Sequence, residues 1–154
     1  MQIVVLTVGK LKERHWREAE EEYRKRILSH ASCVVEEVQD EPDQGAAERI
    51  RETEAVRLLA KLRERDHVVA LDSRGRKMTS QGFSAYLDAV SAQGCGRYVF
   101  VIGGSRGLAS SVLDRADLTL SFSEFTFPHQ LMRIILLEQI YRAFRIQTGA
   151  PYHK

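Results

Sequence analysis

The chain has 154 residues, 29% of them charged and 44% drawn from the AVILMFWYC set, which fits one soluble globular domain spanning residues 1–154. Its net charge of +2, from 23 basic and 21 acidic side chains, permits a polyanionic partner without requiring one. Cys33 and Cys95 are far apart and form no C-x-x-C pair, which argues against a zinc site or a disulfide scaffold and suits a reducing cytosol.

The elements follow from periodicity. Residues 2–8 form a continuous apolar and β-branched run, as expected of a strand covered on both faces. That run is short and has no basic stretch before it, so it does not read as a signal peptide. Residues 10–29 read as a helix with Trp16, Ala19, Tyr23 and Ile27 on one face. Lys10, Lys12, Arg14 and Arg17 are candidate phosphate contacts, although interleaved glutamates also fit a solvated helix face. A second strand is expected at 33–38, a break at 40–45 carrying Pro42 and Gly45, and a helix at 46–65. A third strand at 67–72 precedes a helix capped by Thr79 or Ser80, with Phe83, Leu87 and Val90 on one face.

Residues 98–102 (Tyr-Val-Phe-Val-Ile) read as a buried strand stopped by Gly103 and Gly104, with Gly107 following. A last strand at 118–122 runs through a polar loop to Pro128, a favoured first residue of a helix. The order β-α-β-α-β-α-β, then β-α, predicts an α/β fold with a mainly parallel sheet flanked by helices. Ligands in such sheets bind beyond the carboxyl ends of the strands. The helix after Pro128 is apolar nearly all round, which implies a second surface to bury and hence a homodimer. Arg133, Glu138, Gln139, Arg142 and Arg145 interrupt it, so it is not a bilayer span, and a cytoplasmic protein is expected.

Several common sites are absent from the pattern. No P-loop motif occurs, and G-G-x-x-G on the fourth strand is not a dinucleotide fingerprint. No G-x-S-x-G elbow is present. His15, His30, His67, His129 and His153 show no paired ligand spacing, so no metal is expected. What remains is a backbone-lined crevice for a small ligand, with polar groups near the C-terminus.

Three segments carry a resemblance. They are residues 100–107 (Phe-Val-Ile-Gly-Gly-Ser-Arg-Gly), then Pro128-His129 with Leu131, Arg133, Leu137, Glu138, Gln139, Tyr141, Arg142 and Ala143, and finally residues 151–154 (Pro-Tyr-His-Lys). Together they resemble the SPOUT methyltransferases, and within them the ribosomal RNA large subunit methyltransferase H family. Residues 8–12, Tyr23 with Lys25 and Arg26, Leu71 and Asp72 with Arg74 and Gly75, and Ser80 extend the likeness over the whole chain. Ser105 and Arg106 depart from the family pattern, which usually has a small residue or proline and then often an acidic one.

The resemblance implies a C-terminal trefoil knot and S-adenosyl-L-methionine as cofactor, held by Leu71, Gly103, Gly104, Phe122, Ser123, Glu124, Phe125, Thr126 and Phe127. It implies methylation of N3 of a pseudouridine in 23S rRNA, on the large subunit or whole ribosome. His153 is then the first candidate for proton transfer, with Tyr152 orienting the base and Arg142 and Lys154 stabilising charge or holding phosphate. Glu138 is the alternative base, or else the i,i+4 ion-pair partner of Arg142. Lys10, Lys12 and Lys154 are the expected RNA contacts. Another RNA, such as tRNA, and a non-catalytic RNA-binding or assembly role remain as alternatives.

Overall fold

The computed structural model describes residues 1–152. Its strands are β1 (Gln2–Val8), β2 (Ser32–Val38), β3 (His67–Lys77), β4 (Arg97–Ile102) and β5 (Leu118–Ser121), all parallel in the order β2-β1-β4-β3-β5. The helices are α1 (Arg14–Leu28), α2 (Ala47–Leu59), α3 (Ser80–Ala92), α4 (Ser110–Arg115) and α5 (His129–Gln147). Because strand side chains alternate between faces, the apolar run of β1 feeds two separate cores. Ile3 and Val5 pack with Ile27, Phe83, Leu87, Leu136, Leu137 and Ile140 of α1, α3 and α5. Val4, Leu6 and Val8 pack on the other face with Ala55, Leu58 and Val112 of α2 and α4.

Three boundaries differ by several residues from the sequence pattern, each for a tertiary reason, and one short helix is additional. Residues 10–13 stay outside α1 while Leu11 turns into the interior at 6% exposure. The second helix ends at Leu59 instead of running to 65, and beyond it the Asp66 carboxylate accepts the Arg63 N–H (2.7 Å) and pairs with Arg97 at the start of β4. β3 extends to Lys77 because Leu120 of β5 pairs with both Leu71 and Arg76, around an irregularity at 72–75. The short α4 stands between β4 and β5, where no helix is expected from periodicity; its single buried residue is Val112. Thr79 is the cap of α3, accepting the Gly82 N–H at 3.0 Å.

α5 lies between α1 and α3 on one face of the sheet. Polar seams fix it on both sides. Ser84 donates to the Ala143 carbonyl (2.8 Å) and Ser80 to Gln139 Oε1 (2.6 Å) on the α3 side. On the other side Arg133, 1% exposed, places Nη1 3.0 Å from Glu20 and 2.9 Å from Glu37. Its Nη2 donates to the Gly9 carbonyl at 3.3 Å. One guanidinium therefore ties α1, β2 and the end of β1 to α5. Half-buried Leu131, Ile134, Ile135, Tyr141 and Ile146 remain on the helix, apolar side chains that this monomer does not fully cover.

Removing one partner of a buried ion pair strands the others without compensation, so Arg133→Ala should cost about 3 kcal/mol or more of unfolding free energy in urea. Adding Glu20→Gln and Glu37→Gln should recover part of that loss. A loss below about 1 kcal/mol, the size of an exposed pair, would show that the cluster does not hold the helix in place.

Candidate active site

The carboxyl ends of β3, β4 and β5 and the first turn of α5 enclose a cavity of about 600 Å³. β3 contributes Leu71, Asp72 and Ser73, and β4 contributes Ile102 with the glycine loop at Gly103, Gly104, Ser105 and Gly107. From the segment after β5 come Phe122, Ser123, Phe125, Thr126 and Phe127, and from the start of α5 come His129, Gln130 and Met132. Eight of the nine residues expected around a cofactor thus share one cavity. Glu124 is the exception, turned outward with its carboxylate 3.1 Å from Lys77 Nζ.

The glycine loop is shaped by close backbone approach. A Cβ on Gly103 would lie 2.7 Å from the Gly107 carbonyl, and the Gly107 N–H donates to Gly104 O at 3.1 Å across the turn. Gly107 has φ +81°, in the left-handed region where a side chain is strained. Ser105 and Arg106, the departures from the family pattern, occupy the exposed tip of this turn. Arg106 reaches away to Asp43 at 2.6 Å.

Two titratable groups set the charge at the cavity. Asp72 accepts from Arg74 Nε (3.0 Å), Nη2 (2.9 Å) and backbone N–H (2.8 Å), and this guanidinium contact holds its carboxyl below the usual range. Burial, with help from the Arg133 charge, lowers the His129 pKa, which favours the neutral imidazole. Sequence reasoning quoted Asp72 and His129 for likeness without giving them a role in the site; their only signal was position, at a strand's end and after Pro128.

The residues expected to do chemistry form a second group, at the far end of α5. Glu138 Oε1 accepts from Arg142 Nε (3.0 Å), Arg142 Nη2 (2.7 Å) and the Tyr152 hydroxyl (3.2 Å), and its Oε2 accepts from Gln139 (2.8 Å). The i,i+4 ion pair is therefore formed, and both carboxylate oxygens are engaged. Arg142 also lies over the Tyr152 ring, 4.8 Å from its centroid, and Tyr141 meets that ring edge-on at 5.0 Å. Burial and the Glu138 charge push the Tyr152 pKa up, keeping a proton donor there. His153 and Lys154 lie outside the described residues. Lys10 and Lys12 are exposed on the turn after β1, at the same carboxyl edge as the cavity.

Along α5, His129 at the cavity and Arg142 in the cluster are separated by roughly 20 Å at 1.5 Å per residue. One chain does not bring the two groups together.

Behind the glycine loop lies Glu54, 4% exposed. A Cβ on Gly104 would sit 3.3 Å from both its oxygens; Oε2 accepts the Glu41 N–H, and Oε1 has no partner. Burial raises its pKa, and the Asp40 and Glu41 charges add to the effect. The stabilising contribution of the protonated form is thus full below the unfolded pKa and is lost as pH rises through the raised folded value. Glu54→Gln should therefore raise Tm relative to wild type increasingly as pH rises above the ordinary carboxylate range, until the raised folded pKa is passed. A shift independent of pH in thermal denaturation would show that ionising this carboxyl carries no cost.

A family model described as "Predicted SPOUT methyltransferase" matches residues 1–153. The chain is 45% identical over 159 residues to ribosomal RNA large subunit methyltransferase H 1 of Clostridium perfringens, and 44% identical to ribosomal RNA large subunit methyltransferase H of Clostridium acetobutylicum, each alignment covering 100% of both proteins. Among solved structures, a methylase family protein of Haemophilus influenzae Rd KW20 superposes with a TM-score of 0.52 at 13% identity, covering 99% of this chain and 70% of the other. One from Neisseria gonorrhoeae gives 0.52 at 12% identity, covering 99% and 85%; at such identities the match speaks for the fold. A parallel sheet with its cavity at the strand ends, and full-length identity of this size, establish that the chain belongs to the SPOUT methyltransferases, in the ribosomal RNA large subunit methyltransferase H family.

Proposed function

We propose that this chain methylates N3 of a pseudouridine in 23S rRNA, using S-adenosyl-L-methionine, as a cytoplasmic homodimer acting on the assembled ribosome. The observation that carries the reading is the single cavity built by three strand-end loops. Its residues suit that cofactor: the glycine loop allows close backbone approach, Leu71, Ile102, Leu120 and Phe122 offer apolar walls, and Asp72, paired with Arg74, adds a polar group to the lining. Leu71, Gly103, Gly104 and residues 122–127 would hold it, and a neutral His129 adds no opposing charge. The bound group would supply an electrophilic methyl on a sulfonium.

The rest falls to the chain's own residues. N3 of the base carries a proton between two carbonyls, so a group near it must take that proton and a cation must stabilise the charge left behind. His153 is assigned the proton and Tyr152 the orientation of the base. Arg142 is assigned the developing charge, with Lys154, Lys10 and Lys12 on phosphates. Glu138, fully engaged by Arg142, Tyr152 and Gln139, orients these groups instead of acting as the base. The separation of cavity and cluster within one chain supports a dimer in which one subunit's tail completes the other's site, and the half-buried apolar residues of α5 supply a surface for it.

The trefoil threading belongs to the same reading. Leu120 pairs with both Leu71 and Arg76 on either side of an irregularity at 72–75, and a Cβ on Gly75 would lie 2.6 Å from the Thr119 backbone, a close crossing that supports such a threading.

Labelled S-adenosyl-L-methionine should transfer methyl to ribosomes lacking the mark, at N3 by mass spectrometry, and only where pseudouridine is present. Transfer to tRNA but not to ribosomes would refute the assigned substrate. Deleting residues 152–154 should abolish transfer and leave cofactor binding by calorimetry largely intact; unchanged transfer would remove the tail from the mechanism.

A further inference from the structure

Phe125 is 79% exposed, the highest value among the exposed large apolar side chains of the described residues. Its neighbours on the same loop behave differently: Phe122 and Phe127 also line an inner hollow against Met78, Phe83 and Leu120. Phe125 instead stands between the mouth of the main cavity and a shallow outer recess formed with Lys77, Ser123 and Glu124. The loop that carries it is braced. The Phe125 N–H donates to Ser123 Oγ at 3.0 Å, and the Ser121 hydroxyl donates to the Ser123 carbonyl at 3.1 Å. Beside the ring, the Lys77 side chain is 54% exposed, and among the described residues its ion-pair partner is the exposed Glu124. An exposed aromatic face on a fixed turn, next to an available cation, is the arrangement that binds single-stranded nucleic acid by stacking and phosphate contact.

We propose that Phe125 is a stacking platform for the nucleobase flanking the one that enters the cavity, and that Lys77 takes the adjoining phosphate. This rests on the RNA methyltransferase reading above and deepens it by naming a residue that positions the substrate strand. Phe125 is then a positioning residue through its side chain, whatever its backbone contributes to the cofactor.

The test compares wild type with Phe125→Ala, Phe125→Leu and Phe125→Trp on unmethylated ribosomes. Alanine and leucine should each raise KM for ribosomes roughly tenfold, given the strength of base stacking, a change larger than any in cofactor Kd measured separately by calorimetry. Tryptophan should keep KM low. Lys77→Ala should reduce the salt dependence of ribosome binding by about one phosphate contact. The inference is overturned if Phe125→Ala leaves KM unchanged, if leucine serves as well as phenylalanine, or if alanine instead weakens cofactor binding or dissociates a dimer in sedimentation. Should wild type itself transfer nothing to ribosomes, the methylation reading fails separately. Stacking is then decided by fluorescence of Phe125→Trp in a Trp16→Phe background, titrated with a single-stranded oligoribonucleotide: quenching supports the platform and an unchanged signal rejects it.

Discussion

The burial of the Arg133 guanidinium is the constraint on which the rest of the architecture depends. A charge at 1% exposure is tolerable only with several partners, and Glu20, Glu37 and the Gly9 carbonyl come from three different elements. Their convergence sets the position of α5 along its own axis. That in turn places His129 and Met132 at the cavity and leaves Glu138, Arg142 and Tyr152 beyond its reach. An apolar residue at 133 would allow similar packing on the sheet but would not specify this axial position.

The cavity itself is made of backbone constraints more than of side-chain chemistry. Gly103 lies against the Gly107 carbonyl, Gly75 lies against Thr119, and each leaves no room for a Cβ. Such contacts hold three strand-end loops in one arrangement, with apolar walls and two tuned groups at the rim. Asp72 keeps its charge because Arg74 chelates it, whereas His129 loses the tendency to protonate because it is buried beside Arg133. His129 thus adds no positive charge at the cavity, and the Asp72 charge is balanced by the Arg74 guanidinium that holds it.

Buried polar groups are spread over the fold, at Thr7, Glu54, Asp66, Ser84, Ser121 and Arg133. Glu54 keeps an unpaired oxygen directly behind Gly104, a cost that the fold sustains next to the glycine loop. At the other end of α5, Glu138 is surrounded by donors and acts as a scaffold for Arg142 and Tyr152. A carboxylate so engaged orders other residues more readily than it accepts a proton.

Much of the fold was legible in the residues themselves. Continuous apolar strands alternating with amphipathic helices require a parallel sheet covered on both faces, and strands at 2–8 and 98–102 were readable to within a residue or so because burial on both faces leaves almost only apolar side chains there, whereas the edge strand at 33–38 tolerates Glu36 and Glu37. Gly103, Gly104 and Pro128 marked the strand ends where the cavity lies. The tertiary structure alone decided what depends on distant partners. The extension of β3 to Lys77 requires Leu120 to pair twice, and the shortening of α2 accompanies the Asp66 contacts to Arg63 and Arg97. Within the site, Glu124 was indistinguishable in sequence from its neighbours, yet its carboxylate pairs with Lys77 outside the cavity. Arg133 read as one more charge on an apolar helix. Its burial arises from Glu20 and Glu37, more than ninety positions away, and local periodicity does not register contacts at that separation.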